Sequence, residues 1–220
     1  MSNIYITIPD LIHLIDVQGT FKVYCIMEIG SMDGADMSLL YEYFKPSKAV
    51  VIDAHPTFSS KIADEYPEFE VYNLAASNTE GEVEFLAVTA NSDNLGVSSL
   101  MDREDKYPIH ETFFNEVLID SLRMDNFCAE RGIPSIDLLK IDVEGHAFEV
   151  LEGFGEMIHN IICIHVECEH ESVWKGQKLY SDVEAYLIGK GFIPLAIRIG
   201  FPQSDSFWIK KEYLNPNWHL

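Results

Sequence analysis

Short, nearly continuous apolar runs alternate along this chain with longer segments whose apolar residues recur every three or four positions. The first kind reads as buried strand and the second as amphipathic helix. A strand is therefore predicted over Val23 to Ile29, ended by Gly30, and a helix over Ala35 to Phe44, stopped before Pro46. A second strand, Ala49 to Ile52, leads through His55-Pro56 into a helix reaching about Tyr66. Phe69 to Leu74 reads as a third strand, and the turn signal Asn78-Thr79-Glu80-Gly81 introduces β-rich Glu82 to Val88. Glu116 to Ile119 reads as a further strand, Met124 to Glu130 as a short helix, and Gly132-Ile133-Pro134 as a break.

The second half repeats the alternation. The strand Ile136 to Ile141 runs into Asp142-Val143-Glu144-Gly145, and the next helix, with Phe148 and Leu151 at helical spacing, ends near Gly153. Ile161 to Val166 is a strand, and Ser181 to Gly189 a helix capped by its serine. Phe192 to Ile199 and Ser206 to Lys211 form a closing antiparallel pair. Strands alternating with helices predict an α/β, Rossmann-like, three-layer fold with a mostly parallel sheet and an antiparallel C-terminal hairpin. A length of 220 residues, 47% of them hydrophobic, favours one domain. Residues 1–20 read as an N-terminal extension of it.

Charge narrows the partners. Fifteen basic against 36 acidic residues give a net charge of −21. Phosphate contacts supply most nucleic-acid affinity, so this balance speaks against a nucleic acid, and an anionic membrane surface repels such a chain. No run reaches the roughly 18 apolar residues of a membrane span, and the N-terminus lacks the basic and apolar regions of a signal peptide. Cys25, Cys128, Cys163 and Cys168 form no CxxC pair and read as reduced core residues. A cytoplasmic protein acting on a small-molecule or glycan substrate is the expectation.

Ligands of open α/β sheets bind outside the carboxyl ends of the strands. The first such loop is Glu28-Ile29-Gly30-Ser31-Met32-Asp33-Gly34. Gly30 and Gly34 permit a tight turn and close backbone approach. Met32 stands where the nicotinamide fingerprint needs its second glycine, and the Glu28 carboxylate is a poor neighbour for a pyrophosphate. A carboxylate suits a ligand with an ammonium and a sulfonium; a ligand-free turn is the alternative. Asp53, 19 residues after Gly34, ends the second strand beside Ala54. It is read either as the acceptor for both ribose hydroxyls or as a helix N-cap. Small residues at Leu74-Ala75-Ala76-Ser77 leave room for a flat ring, or form a simple turn.

The richest stretch is Lys140-Ile141-Asp142-Val143-Glu144-Gly145-His146. Asp142 stands at a strand's carboxyl end. Glu144 either favours the helix N-terminus electrostatically or serves the site, and His146 is either a base or a first-turn residue. By alternation His165, Glu167 and Glu169 share a strand face, with Glu167 nearest the cleft mouth. Asp142, Glu167 and a nearby histidine have the chemistry of a hard-cation site. HExxH and clustered CxxC patterns are absent, so no metal ligand is assigned. Residues 90–115 and 168–180 read as cleft walls, where Tyr107 and Trp174 either stack on a sugar or anchor packing.

The block Ile136-Asp137-Leu138-Leu139-Lys140-Ile141-Asp142-Val143-Glu144-Gly145-His146, continuing to Glu149-Val150-Leu151-Glu152-Gly153, resembles the FkbM-type methyltransferases. The glycine loop, Asp53 with Pro56, Gly81 and Ser98-Ser99-Leu100 support the resemblance, which spans roughly residues 22–170. It implies a class I methyltransferase fold, S-adenosylmethionine as methyl donor, and transfer to a hydroxyl of a sugar, polyketide or other small metabolite. It implies Glu28, Gly30, Asp33 and Gly34 at the methionine end of the cofactor, Asp53 at the ribose and Asp142 beside the methyl group. Ser31, Ala54 and Ala75 complete the candidate cofactor contacts, and Asp142, His146 and Glu167 are the candidate proton acceptors, in that order. Two departures stand out: the family's D-x-G-A-N loop reads Glu28-Ile29-Gly30-Ser31-Met32 here, and its usual ribose glutamate is Asp53. The rival readings are a nicotinamide-dependent oxidoreductase, a non-catalytic cofactor- or glycan-binding module, and a metal-dependent variant.

Overall fold

The computed structural model describes residues 5–89, 96–106 and 114–218. Its main sheet has seven strands: β1 (Cys25–Ile29), β2 (Lys48–Ile52), β3 (Glu70–Tyr72), β7 (Ile136–Ile141), β8 (Ile161–Glu169), β9 (Phe192–Ile199) and β10 (Gln203–Lys210), in the order β3-β2-β1-β7-β8-β10-β9. Neighbours from β3 to β8 run parallel, whereas β10 is antiparallel to both β8 and β9. The last predicted strand therefore lies inside the sheet, between β8 and its predecessor.

Strand alternation divides the core in two. Met27, Val50, Leu139, Ile141 and Ile164 pack against α4 (Met124–Glu130), α5 (Ala147–Gly153) and α6 (Tyr180–Gly189). Ile26, Val51, Leu138, Cys163 and Phe207 face the other way, onto α1 (Ile8–Gln18), α2 (Ala35–Phe44) and α3 (Pro56–Glu65). Strands buried on both faces must be apolar throughout, which explains their continuous apolar runs.

Three features differ from the sequence expectation. The segment read as an N-terminal extension contains α1, whose Leu11 and Ile15 are core residues. A capping box between Thr7 and Asp10 starts this helix, and a proline stands in its first turn. The stretch Phe69 to Leu74 yields only three strand residues, β3, before β4 (Ala75–Ser77) leaves the main sheet. There β4 joins β5 (Gly81–Val88) and β6 (Phe114–Arg123) in a separate three-stranded sheet ordered β4-β6-β5. Finally, Ser181 does not cap α6: the helix begins at Tyr180, and the Leu179 N–H donates to Asp182 at 2.9 Å. Among the described residues, no helix is long and apolar enough to cross a membrane.

Candidate active site

Strand order reverses direction between β1 and β7, and a crevice opens at their carboxyl ends. The two chains cross there at backbone contact. The Asp142 N–H donates to Ile29 O at 2.9 Å. A Cβ on Gly30, whose φ is +78°, would sit 1.8 Å from the Asp142 carbonyl oxygen. Only glycine fits such a crossing in that conformation. Above it lies a cavity of about 810 Å³, a size typical of small-molecule sites.

Gly30, Ser31, Asp33, Asp53, Ala54 and Ala75 line this cavity from one side, and Asp142, Glu144, His146 and Glu167 from the other. Glu28 and Gly34 are not among the residues that line it. Glu28 is sealed within β1. It accepts the Ser31 hydroxyl at 2.6 Å and pairs with Lys140 at 3.0 Å. Gly34 is crowded by the Tyr66 ring, 2.9 Å from where its Cβ would lie.

Asp53 is spoken for by backbone. One carboxylate oxygen accepts the N–H groups of Ser31 and Met32 at 3.0 and 2.9 Å, and the other accepts that of His55 at 2.8 Å. The carboxylate thus ties the glycine loop to the end of β2. The helix N-cap is His55, whose ring accepts the Thr57 N–H at 3.2 Å. Burial pushes the Asp53 carboxyl up, and the three N–H bonds act against that shift.

Lys140 pairs in register with Glu28 on one side and with His165 on the other. Its ammonium reaches Glu28, Asp36 at 3.1 Å and Asp142 at 3.9 Å. Burial works against the charge, but the carboxylates of Glu28, Asp142 and Asp36 outweigh it and hold the lysine protonated. A lysine inside an apolar strand is an anomaly that already demands a buried partner; that signal was legible in Ile136 to Ile141, and no role was attached to it.

The three candidate proton acceptors differ in engagement. The His146 ring contacts the Ser77 hydroxyl at 3.0 Å, and burial lowers its pKa to about 4, so it stays neutral. Glu167 accepts from Gln203 at 2.9 Å. Burial and the charges of Asp142, Glu144 and Asp205 push it up to about 10. The Asp142 side chain remains 43% exposed and takes no hydrogen bond from the described residues. Glu144, next along, adopts φ +48°, a left-handed conformation costly for a non-glycine residue. Its carbonyl accepts the Ser99 hydroxyl at 2.7 Å, and the adjacent Gly145 lies hard against the Trp174 ring.

Trp174 is a packing anchor. It is fully buried, donates to Glu169 at 3.2 Å and carries the Arg103 guanidinium 4.5 Å over its ring. Tyr107, and residues 90–95 and 107–113 of the expected cleft wall, lie outside the described residues. Sequence reasoning also missed a wall from the N-terminus. Tyr5 to Pro9 border the cavity, and the Ile6 N–H donates to Asp205 at 2.8 Å. All four cysteines are free and buried.

The model of the FkbM methyltransferase domain matches residues 28–194. The 2-O-methyltransferase NoeI of Sinorhizobium fredii (strain NBRC 101917 / NGR234) is 22% identical over 161 residues, covering 69% of this chain and 66% of the relative. The chain thus spans just under two thirds of that relative's length. A solved structure from Listeria monocytogenes, assigned as an S-adenosylmethionine dependent methyltransferase, superposes with a TM-score of 0.50 at 8% identity, over 90% of this chain and 96% of that one. M. capricolum TrmK, in complex with S-adenosyl-homocysteine, gives 0.48 at 11% identity over 94% and 71%. The fold is that of the class I methyltransferases. The chain belongs to the FkbM methyltransferase family, and its donor is S-adenosylmethionine. The cavity fits that cofactor: acidic groups at Asp33, Asp36 and Asp142 suit its cationic end, and apolar Ile52, Leu74 and Phe85 suit a flat base.

Proposed function

We propose that this methyltransferase transfers the methyl group to a hydroxyl on a sugar or other small metabolite. The observation that carries the reading is Asp142, a carboxylate without a hydrogen-bond partner among the described residues, on the cavity wall at the end of β7. The 2-O-methyltransferase activity of NoeI supports a hydroxyl as acceptor.

Bound S-adenosylmethionine supplies an electrophilic methyl group on a sulfonium. Gly30, Ser31 and Asp33 would hold its amino-acid end, with Glu28 acting through the Ser31 hydroxyl. Ala54 and Ala75 would border the base. Asp53 would act on the ribose side by fixing the loop, since its oxygens already accept three N–H groups. Asp142 would orient the acceptor hydroxyl and take its proton as the oxygen attacks. General-base assistance of this kind contributes roughly 10²–10⁴-fold, and holding the two reactants in line contributes about 7–11 kcal/mol in the best cases. His146, held by Ser77, would shape the wall. Glu167 would face the acceptor from β8.

The excess of carboxylates favours a neutral or cationic acceptor over a polyanion. The test is incubation with radiolabelled S-adenosylmethionine and a panel of sugars, amino sugars and phenols, with products resolved by mass spectrometry. A methyl ether is the expected product. S-adenosylhomocysteine binding with no labelled product across the panel points to a non-catalytic module, and an N-methylated product overturns the hydroxyl assignment.

A further inference from the structure

β7 and β8 run parallel with Ile141 beside Val166, so the residues one step further along, Asp142 and Glu167, emerge side by side. Glu144 follows two residues after Asp142, turned back by its left-handed backbone. One carboxylate oxygen from each of Asp142, Glu144 and Glu167 lies within 4.8 Å of the other two. The nearest cations are shared: Lys140 sits closer to Glu28 and Asp36 than to Asp142, at 3.9 Å, and Arg103 is stacked on Trp174 while acting on Glu144 without a hydrogen bond to it. Three like charges that close, with Asp205 paired in register beside Glu167, repel one another unless protons or a cation intervene.

A second mark comes from His165. It lines the same cavity two residues before Glu167 on the same strand face, and it is only 5% exposed. Neither of its ring nitrogens has a hydrogen-bond partner among the described residues. Its nearest acid, Asp205, stands 3.8 Å away. A buried imidazole without a partner is costly. A hydrated cation carries what it lacks, an ordered water able to donate to a ring nitrogen. One oxygen of Glu144 is likewise buried and unpartnered.

We propose that Asp142, Glu144 and Glu167 form a binding site for a hard divalent cation of the Mg²⁺ or Mn²⁺ class, with His165 bonded to the cation's water. Oxygen donors in this number match such ions, which keep several waters and fill their remaining positions from a substrate. The acceptor's oxygens take those positions, which fixes the hydroxyl beside Asp142 and eases loss of its proton. Asp142 has two oxygens, one for the cation and one for that proton. The proposal rests on the hydroxyl-transfer reading for what the cation does, and on geometry alone for whether it binds.

The test is a Mn²⁺ titration of the intact protein followed by electron paramagnetic resonance, with and without S-adenosylhomocysteine, alongside calorimetry of S-adenosylhomocysteine itself. One Mn²⁺ per chain, displaced by Mg²⁺, is expected. Glu144→Gln and Glu167→Gln should each weaken it by about tenfold or more while leaving S-adenosylhomocysteine binding in place. Glu82→Gln, at an exposed carboxylate on β5, should change nothing. Mn²⁺ that stays free under both conditions overturns the proposal and leaves the cofactor's own charge, or a cationic acceptor, to balance the carboxylates. Equal binding by wild type and both active-site variants also overturns it. Failure of the methyltransferase reading is separately visible as loss of S-adenosylhomocysteine binding by the wild type.

Discussion

Glu28 and Lys140 sit opposite each other in register on adjacent parallel strands, 3.0 Å apart, and both are buried. Removing one partner strands the other charge in the core, which costs about 3–5 kcal/mol. Lys140→Met is therefore expected to lower unfolding stability by about that amount in urea titrations. Glu28→Gln combined with Lys140→Met should cost clearly less than the sum of the single changes. Additive losses would mean that the two groups do not act as a pair.

Asp53 makes a second, independent prediction. Asp53→Ala leaves the N–H groups of Ser31, Met32 and His55 without their acceptor. Buried unmet donors cost about 1–3 kcal/mol each at most, less where water enters. Stability should fall by a few kcal/mol at most, and S-adenosylhomocysteine affinity should fall with it, because the freed loop is a cavity wall. Isothermal titration calorimetry reads the second effect. A stable Asp53→Ala protein with unchanged affinity would show that the loop holds its shape without this carboxylate.

Asp53 also marks the boundary of what the sequence could tell. Its place after the second strand marked it, since the carboxyl end of a parallel strand is legible from the order of elements alone. Its partners were not legible. Whether two oxygens face a diol or three backbone amides depends on loop curvature, which periodicity does not encode. Glu28 was illegible in another way. Its parity in the strand turns it toward the α1 and α2 layer, where Lys140 waits, and a parallel neighbour's register cannot be read from one strand. The core strands were legible because burial on both faces leaves apolar runs such as Ile136 to Ile141. The small sheet was not, since β4 has three residues and its partner β6 lies 36 residues beyond it. α1 was legible as well: Thr7, Pro9 and Asp10 mark its start, and Ile8, Leu11 and Ile15 recur at helical spacing on its buried face.

The thiols predict a pH dependence. Burial raises Cys25 to about 11 and Cys128 to about 12, and raises Cys163 and Cys168 as well. An acid whose folded pKa lies above its unfolded value stays protonated in the folded state while the unfolded chain ionises. Stability should therefore be lost as pH rises from about 9 towards 11, the interval between the ordinary thiol value and that of folded Cys25. Cys25→Ala should flatten that slope. At pH 8 the native protein should react slowly with a thiol-specific disulfide reagent, and all four cysteines promptly after unfolding. Fast reaction of the native protein would contradict the burial described.

Asp142 carries the sharpest functional prediction. The side chain takes no hydrogen bond from the described residues, whereas the Asp142 backbone N–H is bonded to Ile29 O. Asp142→Asn preserves shape and that backbone contact, so the crossing with Gly30 should survive. The capacity to take a proton is lost, and with it the negative charge that faces Lys140 and the other two carboxylates. Turnover should fall by roughly 10²–10⁴-fold at saturating acceptor, with S-adenosylhomocysteine affinity held within a few-fold. A loss that persists at saturation marks a proton acceptor, whereas a purely positioning role would raise KM and leave kcat in place. Full activity in Asp142→Asn would remove this residue from the reaction.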